Sequence, residues 1–150
     1  MKNKEIDLFN SAEDSGRERA ERVLNSILKD GYEIKSNSYK DRVDFTAYKD
    51  GKVVAYIEVK HRNVNLGDYP DYQLDGKKAM YLLSLDKPTF YLNTFKDGSW
   101  AIWRINNQIG EWRDSKPHYA HTVLCDREVI TKDLFLTLKE AYGFNKAIQR

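Results

Sequence analysis

Near the start of the chain, apolar residues recur at the spacing of one helical face. The stripe consists of Ala20, Val23, Leu24, Ile27 and Leu28. A Ser followed three residues later by an acidic residue is typical of a helix start, and this signal occurs at Ser11 and again at Ser15. Gly31 is a common helix stop. The pattern predicts a helix from one of these serines to about Asp30, then a short strand over 32–35.

The strongest strand signal is a hairpin, because apolar and polar residues alternate over 43–48 and again over 52–60. A two-residue Asp-Gly turn would place Asp44 opposite Ile57, inside the apolar face of the hairpin. A three-residue loop over 49–51 makes the apolar side chains of the two strands face one another instead. We therefore predict the three-residue loop.

This register decides which polar side chains of the hairpin lie together. It places Asp44 opposite Tyr56, so that Glu58 becomes its diagonal neighbour at roughly 7–8 Å. Side chains two residues apart on a strand share a face. The register therefore predicts that Asp44, Glu58 and Lys60 lie on one face of the hairpin.

Another helix and another hairpin are predicted after the first hairpin. Apolar residues recur at helical spacing from about Asp71 to Leu85, and Pro88 follows them. Alternation over 89–95 and 99–105, around a Lys-Asp-Gly turn, predicts two further strands. The resulting order is helix, hairpin, helix and hairpin.

The last third of the chain gives a mixed signal. Residues 106–127 combine turn signals with aromatic residues and predict no clear element. Residues from Lys132 to Tyr142 have helical spacing and end at Gly143, which predicts a C-terminal helix. Because no linker or repeat interrupts the pattern, we predict one α/β domain over 1–150, with a mixed central β-sheet flanked by helices.

The composition narrows the class of protein. The chain is 41% hydrophobic and 32% charged, which is enough to bury a core and keep a solvated surface. No apolar run approaches the roughly 20 residues that cross a bilayer, and the N-terminus lacks a signal-peptide pattern. With one cysteine, Cys125, there is no internal disulfide. We expect a cytoplasmic protein that does not bind membranes.

The charge is balanced overall and uneven locally. The net charge is only +2, but Lys60, His61 and Arg62 are consecutive, and Lys77 and Lys78 follow. This pattern predicts a local basic face beside the carboxylates of the hairpin.

Asp44, Glu58 and Lys60 have a clear chemical use when they lie together. Carboxylate oxygens suit a hard divalent cation such as Mg²⁺ or Mn²⁺. Such an ion lowers the pKa of bound water and stabilises charge on a phosphate. A lysine beside it can orient the water or neutralise the phosphate. The pattern therefore indicates metal-assisted phosphodiester hydrolysis.

The residues that carry this chemistry also resemble a known family. Val43-Asp44-Phe45, followed by the strand 55–62 with Glu58-Val59-Lys60, is similar to the signature of PD-(D/E)XK nucleases, although Val43 replaces the proline. Asp44 and Glu58 are 14 positions apart. The pattern is similar to that of small Holliday-junction resolvases and phage or repair nucleases. The resemblance implies a restriction-endonuclease-like fold and a DNase that uses Mg²⁺, with Mn²⁺ as a substitute.

The resemblance also implies roles for individual residues. Asp44, Glu58 and the backbone carbonyl of Val59 would bind the metal, and Lys60 would activate water. Family members often add a glutamate from the first helix. Glu21 and Glu18 are the candidates, and we choose Glu21 because it borders the apolar stripe.

Further residues are expected to contact nucleic acid. On the helix after the Glu-x-Lys strand, Gln73 or Lys77 would face the site, and Lys77 could touch phosphate. Arg62 adds charge, and Tyr72 is a candidate for stacking on bases. The expected partner is DNA, with RNA as an alternative, and junction-cutting relatives act as homodimers. The rival interpretation is a nucleic-acid-binding or protein-interaction module with this fold but without turnover.

Overall fold

The computed structural model describes the backbone of residues 16–38, 40–121 and 126–145, and the side chains of all of these except 119–121, 126 and 127. The predicted helix start at Ser11 or Ser15 and Cys125 lie outside the described residues. Two helices are described, α1 over residues 16–27 and α2 over Gly76–Leu83. Neither is long and apolar enough to span a membrane.

The described strands are numbered in chain order, and a 3₁₀ turn over Leu138–Glu140 lies between the last two. Their bounds are β1 Tyr32–Ser36, β2 Phe45–Lys49, β3 Lys52–Arg62, β4 Tyr72–Leu74, β5 Thr89–Phe95, β6 Trp100–Arg104, β7 Glu111–Asp114, β8 His118–His121, β9 Asp126–Val129, β10 Lys132–Leu136 and β11 Gly143–Asn145.

The central sheet has six strands in the order β1-β2-β3-β5-β6-β11. β3 and β5 are parallel, and the other neighbours are antiparallel. A smaller sheet has the order β4-β10-β7, and β8 pairs with β9. The mixed central sheet predicted from the sequence is confirmed.

Elements pack on both faces of the central sheet. On one face, α1 buries Ala20 and Leu24 against an apolar cluster that includes Phe45. On the other face, α2 and the small sheet bury a cluster that includes Leu82 and Trp103. Because side chains alternate along a strand, the odd and even residues of β3 serve different faces. The predicted arrangement of a sheet flanked by helices is therefore confirmed.

The β2–β3 hairpin has a different register from the predicted one. Lys49 pairs with Lys52, so the turn has two residues, Asp50 and Gly51, and both have positive φ, 52° and 76°. Such angles are those of a type I′ turn. The register then shifts between Ala47 and Tyr48. The predicted three-residue loop was therefore wrong. The bulge shifts the register by one residue in the opposite direction, so that Phe45 pairs with Ile57, and Thr46 rather than Asp44 pairs with Tyr56.

Two predicted helices also differ from the structure. The second was expected from about Asp71, but α2 begins only at Gly76, after Asp75, whose side chain accepts a hydrogen bond from the Lys78 amide. The C-terminal helix predicted from Lys132 is wrong, because Lys132–Leu136 forms the central strand of the small sheet. Long-range pairing outweighs local helical spacing in both places.

A close contact joins α2 to the small sheet. Asp133 on β10 is 2% exposed, and its Oδ1 accepts a hydrogen bond of 2.8 Å from the Gly76 amide. Thr131 and Gln73 also donate to this carboxylate. A Cβ atom on Gly76 would lie 1.8 Å from the carbonyl oxygen of Lys132. The start of α2 therefore has a fixed position against β10.

We expect Gly76→Ala to destabilise the protein by more than about 2 kcal/mol, because the added methyl group collides with backbone rather than with a movable side chain. Gly16→Ala is the matched control, since nothing lies within 4 Å of a Cβ there. The control should change stability by less than about 1 kcal/mol. Urea denaturation of both variants measures the difference, and equal midpoints would contradict the contact.

Candidate active site

Asp44 immediately precedes β2 and is fixed against β3. Its backbone amide donates to the carbonyl oxygen of Ile57 at 3.1 Å, as in a continued ladder. Its Oδ2 accepts a hydrogen bond from the Val59 amide at 2.8 Å. The carboxylate therefore satisfies a strand amide beyond the end of β2, and this contact holds it beside Glu58.

Glu58 lies in β3 with its side chain only 13% exposed. Burial, followed by hydrogen bonding with Asp44 and the negative charge of Asp44, raises the pKa of Glu58 from 4.5 to about 8, although Lys78 acts in the opposite direction. A carboxyl in a poorly solvated place beside another carboxylate resists ionisation. Strongly shifted carboxyls are common at functional sites. We call Asp44 and Glu58 the carboxylate pair.

Two basic residues from the two helices contact the carboxylate pair. From α2, Lys78 Nζ lies 2.9 Å from Glu58 Oε2 and donates to the carbonyl oxygen of Arg42 at 2.7 Å. From α1, Arg17 Nη2 lies 3.5 Å from Asp44 Oδ1. The Lys78 contact is an ion pair rather than an aligned hydrogen bond, so the buried Oε2 has no hydrogen-bond donor among the described residues. Both carboxylates therefore retain acceptor capacity.

Lys60 is exposed and lies two residues after Glu58 on the same face of β3. Both residues line a groove of about 1280 Å³ between the central sheet and the small sheet. Lys60 has no acidic partner in the described part of the chain. Its ammonium group is thus available to a ligand in this groove.

His61 points to the opposite face of the sheet, as strand alternation predicts. Its ring nitrogens lie 3.3–3.4 Å from Arg19 on α1, and its Nδ1 lies 2.9 Å from Thr94 Oγ1. Burial and the charge of Arg19 lower the pKa of His61. This histidine belongs to the packing of α1 and is separated from the carboxylate pair by the sheet.

The structure does not bring Glu21 or Lys77 to the carboxylate pair. Both side chains are exposed, and no described contact joins either of them to Asp44 or Glu58. Arg17 and Lys78 occupy those places instead. For α1, the alternative Glu18 is also exposed. The predicted positions on both helices were therefore wrong, and Arg17 on α1 and Lys78 on α2 reach the pair instead.

Three residues expected to contact nucleic acid, Arg62, Tyr72 and Gln73, make contacts within the protein instead. Tyr72 is 2% exposed and packs against Phe95 and Trp103, so it is not available to stack on a base. Gln73 lies on β4 rather than on α2, and its amide donates to Asp133. Arg62 packs over the Tyr72 ring and donates to the carbonyl oxygen of Gln73 at 2.6 Å.

Lys78 and Arg17 were not predicted from the sequence, although the sequence contains a helix-start signal that favours Lys78. Asp is a preferred N-cap residue, and Asp75 lies three residues before Lys78, as a cap on that amide requires. A helix started at Asp75 would have favoured Lys78. Arg17 had no comparable signal, because its contacts with Ser36, Asn37 and Asp44 all depend on tertiary packing.

The geometry agrees with a comparison of the sequence with known families. Residues 7–114, or 108 of 150, match the family described as "Phage putative PDDEXK endonuclease". The chain belongs to the PD-(D/E)XK nuclease family. Members of this family are generally nucleases that act on nucleic acid and depend on divalent metal ions. No curated protein and no solved structure matches the chain.

The match covers the carboxylate pair and Lys60, so the motif predicted from the sequence lies inside the matched region. It ends at Asp114, the last residue of β7. The small sheet's central strand β10, which carries Asp133, and the separate β8–β9 pair therefore lie beyond the match.

We expect Glu58→Gln to stabilise this nuclease when divalent metal is removed by EDTA. Because the pKa of Glu58 is raised in the folded state, that state binds a proton more tightly than the unfolded chain does. Wild-type stability should therefore fall as pH rises from about 4.5 to about 8. The Glu58→Gln side chain cannot ionise, so the variant does not lose stability in this way as the pH rises. At pH 8 the variant should melt at least about 3 °C higher, which corresponds to ~1 kcal/mol.

The difference should shrink towards pH 5, where the wild-type carboxyl is largely protonated. Glu33→Gln, at an exposed position on β1, is the control and should melt like the wild type at both pH values. Thermal melts followed by circular dichroism provide the measurement. A Glu58→Gln effect of equal size at pH 5 and pH 8 would rule out the ionised carboxylate as its cause.

Proposed function

We propose that this nuclease is a Mg²⁺-dependent deoxyribonuclease that hydrolyses phosphodiester bonds at the carboxylate pair, leaving 5′-phosphate ends. The observation that carries the proposal is the position of Asp44 beside Glu58, with Lys60 on the same strand, at the edge of a groove. Two crowded carboxylates destabilise a fold unless a cation joins them. The arrangement is therefore better explained by ligand binding than by stability.

The chemistry of the donors fits a hard divalent cation. Both side chains offer oxygen, and Mg²⁺ commonly binds through one or two carboxylates, with water and substrate phosphate as its other ligands. Among the described residues, no cluster of three or more His, Cys, Asp or Glu side chains exists, which disfavours a closed zinc site. Asp44, Glu58 and the backbone carbonyl of Val59 would hold the ion. We leave Glu21 out of this set because it is exposed and does not contact the pair.

The ion, when bound, lowers the pKa of water and stabilises negative charge on the phosphate. The side chains of the chain perform the remaining tasks. Lys60 is placed on the face of β3 that carries Glu58, where its ammonium can bind a phosphate oxygen and orient the attacking water. Asp44 holds its orientation through the Val59 amide.

Lys78 and Arg17 supply positive charge at the sides of the carboxylate pair. A phosphate brought to the site adds negative charge to a place that already has two carboxylates. Lys78 is 34% exposed and Arg17 is 16% exposed, so both lie partly screened from water. They would therefore limit the repulsion between the substrate and the pair.

The test is cleavage of labelled single-stranded, duplex, flapped and four-way DNA, and of RNA, with Mg²⁺, Mn²⁺ or EDTA. We expect Glu58→Ala to reduce the cleavage rate by about 10³-fold, as loss of a main electrostatic contact does. Lys60→Ala should reduce it by about 10²-fold or more. Glu33→Ala and Lys52→Ala are matched controls that should retain wild-type rates, since both residues are exposed. Lys52 lies at the far end of β3, about 26 Å from Lys60 at 3.3 Å per residue.

Metal-dependent cleavage that survives Glu58→Ala would reject the site. Binding of DNA without cleavage in either metal would favour a nucleic-acid-binding module with this fold. Cleavage of RNA in preference to DNA would correct the substrate class. Cleavage of four-way junctions would favour a homodimer, because a two-fold substrate requires two active sites.

A further inference from the structure

The groove beside the carboxylate pair has two sides of different origin. Glu58, Lys60 and Arg62 line it from the central sheet, and Arg113, Lys116 and Phe135 line it from the small sheet and its connections. Its volume of about 1280 Å³ exceeds the roughly 300–1000 Å³ of pockets that hold one small molecule. The groove therefore suits an extended ligand rather than a single metabolite.

The second side of the groove is formed in part by residues beyond the family match. The match ends at residue 114, and the connection 115–117 between β7 and β8 follows it along the groove, with His118 at the start of β8. Thr131, Asp133 and Phe135 of the same side also lie beyond it. The part of this side that follows residue 114 is therefore a feature of the chain that the family match does not cover.

The acidic side chains along the groove already have partners within the protein. Asp75 caps the amide of Lys78, and Asp133 binds the amide of Gly76. The remaining carboxylates are in ion pairs, namely Glu58–Lys78, Asp71–Arg113 and Asp114–Lys132. By contrast, Lys60 and Lys116 are exposed and have no acidic partner in the described part of the chain. Two uncompensated ammonium groups therefore line the groove from its opposite sides.

An aromatic ring lies on the same groove. Tyr69 lines it and is 55% exposed, unlike the buried Tyr72. Proteins that bind single-stranded nucleic acid combine basic groups along the backbone with exposed aromatic rings on which bases stack. Tyr69 and the two lysines together provide both elements.

The second side is also fixed relative to the carboxylate pair. Asp133 joins β10 to the start of α2, and α2 carries Lys78, which pairs with Glu58. Because Gly76 abuts the backbone of Lys132, the small sheet cannot shift without moving this helix. A ligand held by the small sheet is thus held in a defined position relative to Glu58.

We infer that this groove binds a single-stranded segment of nucleic acid, with Lys116 on a backbone phosphate and Tyr69 stacked on a base, and delivers it to the carboxylate pair. This inference rests on the proposed function for the cleavage step, but the binding itself requires no turnover. Unpaired bases near the cleavage point can stack on the Tyr69 ring, whereas the bases of a duplex remain stacked on one another.

The experiment measures fluorescence anisotropy of a labelled oligonucleotide, as a single strand and as a duplex of equal length, in EDTA at several salt concentrations. For the single strand, Lys116→Ala should make the negative slope of log binding constant against log salt shallower by about 0.7. It should also weaken binding about three- to tenfold at low salt. Tyr69→Ala should weaken binding about tenfold with little change in slope. Lys52→Ala is the control and should change neither. The wild type should bind the single strand more tightly than the duplex.

Equal affinity for single strand and duplex would overturn the inference, as would wild-type binding by both Lys116→Ala and Tyr69→Ala. A melting temperature within about 2 °C of the wild type would show that the variants fold. The two proposals fail in different ways. Strand binding that depends on Lys116 and Tyr69 without any cleavage would reject only the nuclease reaction. Cleavage that depends on Glu58 but is indifferent to Lys116 and Tyr69 would reject only the binding groove.

Discussion

Two carboxylates, Asp44 and Glu58, lie together in a poorly solvated place at the end of the β2–β3 ladder. Their mutual repulsion is reduced by basic side chains from both helices. Asp44 cannot turn away, because its Oδ2 is bound to the Val59 amide. Glu58 has little access to bulk water, because its side chain is only 13% exposed. The consequence is the raised pKa of Glu58, which opposes folding at neutral pH and above. A residue that reduces stability in this way is retained more readily for function than for structure.

The two helices place positive charge around this pair without occupying all of its oxygen acceptors. α1 packs through Ala20 and Leu24 on one face of the sheet and carries Arg17 to Asp44. α2 packs on the other face and carries Lys78 to Glu58. Neither contact saturates the carboxylate oxygens, because Glu58 Oε2 has no hydrogen-bond donor among the described residues. The packing of the helices therefore sets the electrostatics of the site.

The shared face of Asp44, Glu58 and Lys60 was predictable from the sequence, even though the predicted register was wrong. The hydrophobic pattern required the register of the two strands to shift by one residue relative to a plain two-residue turn. The prediction assigned this shift to the loop. In the structure Asp50 and Gly51 form the two-residue turn, and the bulge near Ala47 shifts the register one residue the other way. Side-chain faces are the same for both shifts, because the two registers differ by two residues. Alternation fixes which side chains share a face, whereas the position of a bulge depends on packing that a single strand pattern does not contain.

Apart from the cap signal at Asp75, the α2 side of the site and the second side of the groove could not be predicted, because both depend on β10. Residues 72–74 have helical spacing but pair with Leu134–Leu136, about 60 positions later in the chain. That pairing delays the start of α2 to Gly76 and thereby turns Lys78, rather than Lys77, towards Glu58. The same strand, predicted as a helix, contributes Asp133 to α2 and Phe135 to the groove. One long-range strand pairing thus orients the helix beside the carboxylates and also builds the second side of the groove, so the geometry of the carboxylate pair and that of the groove are physically coupled.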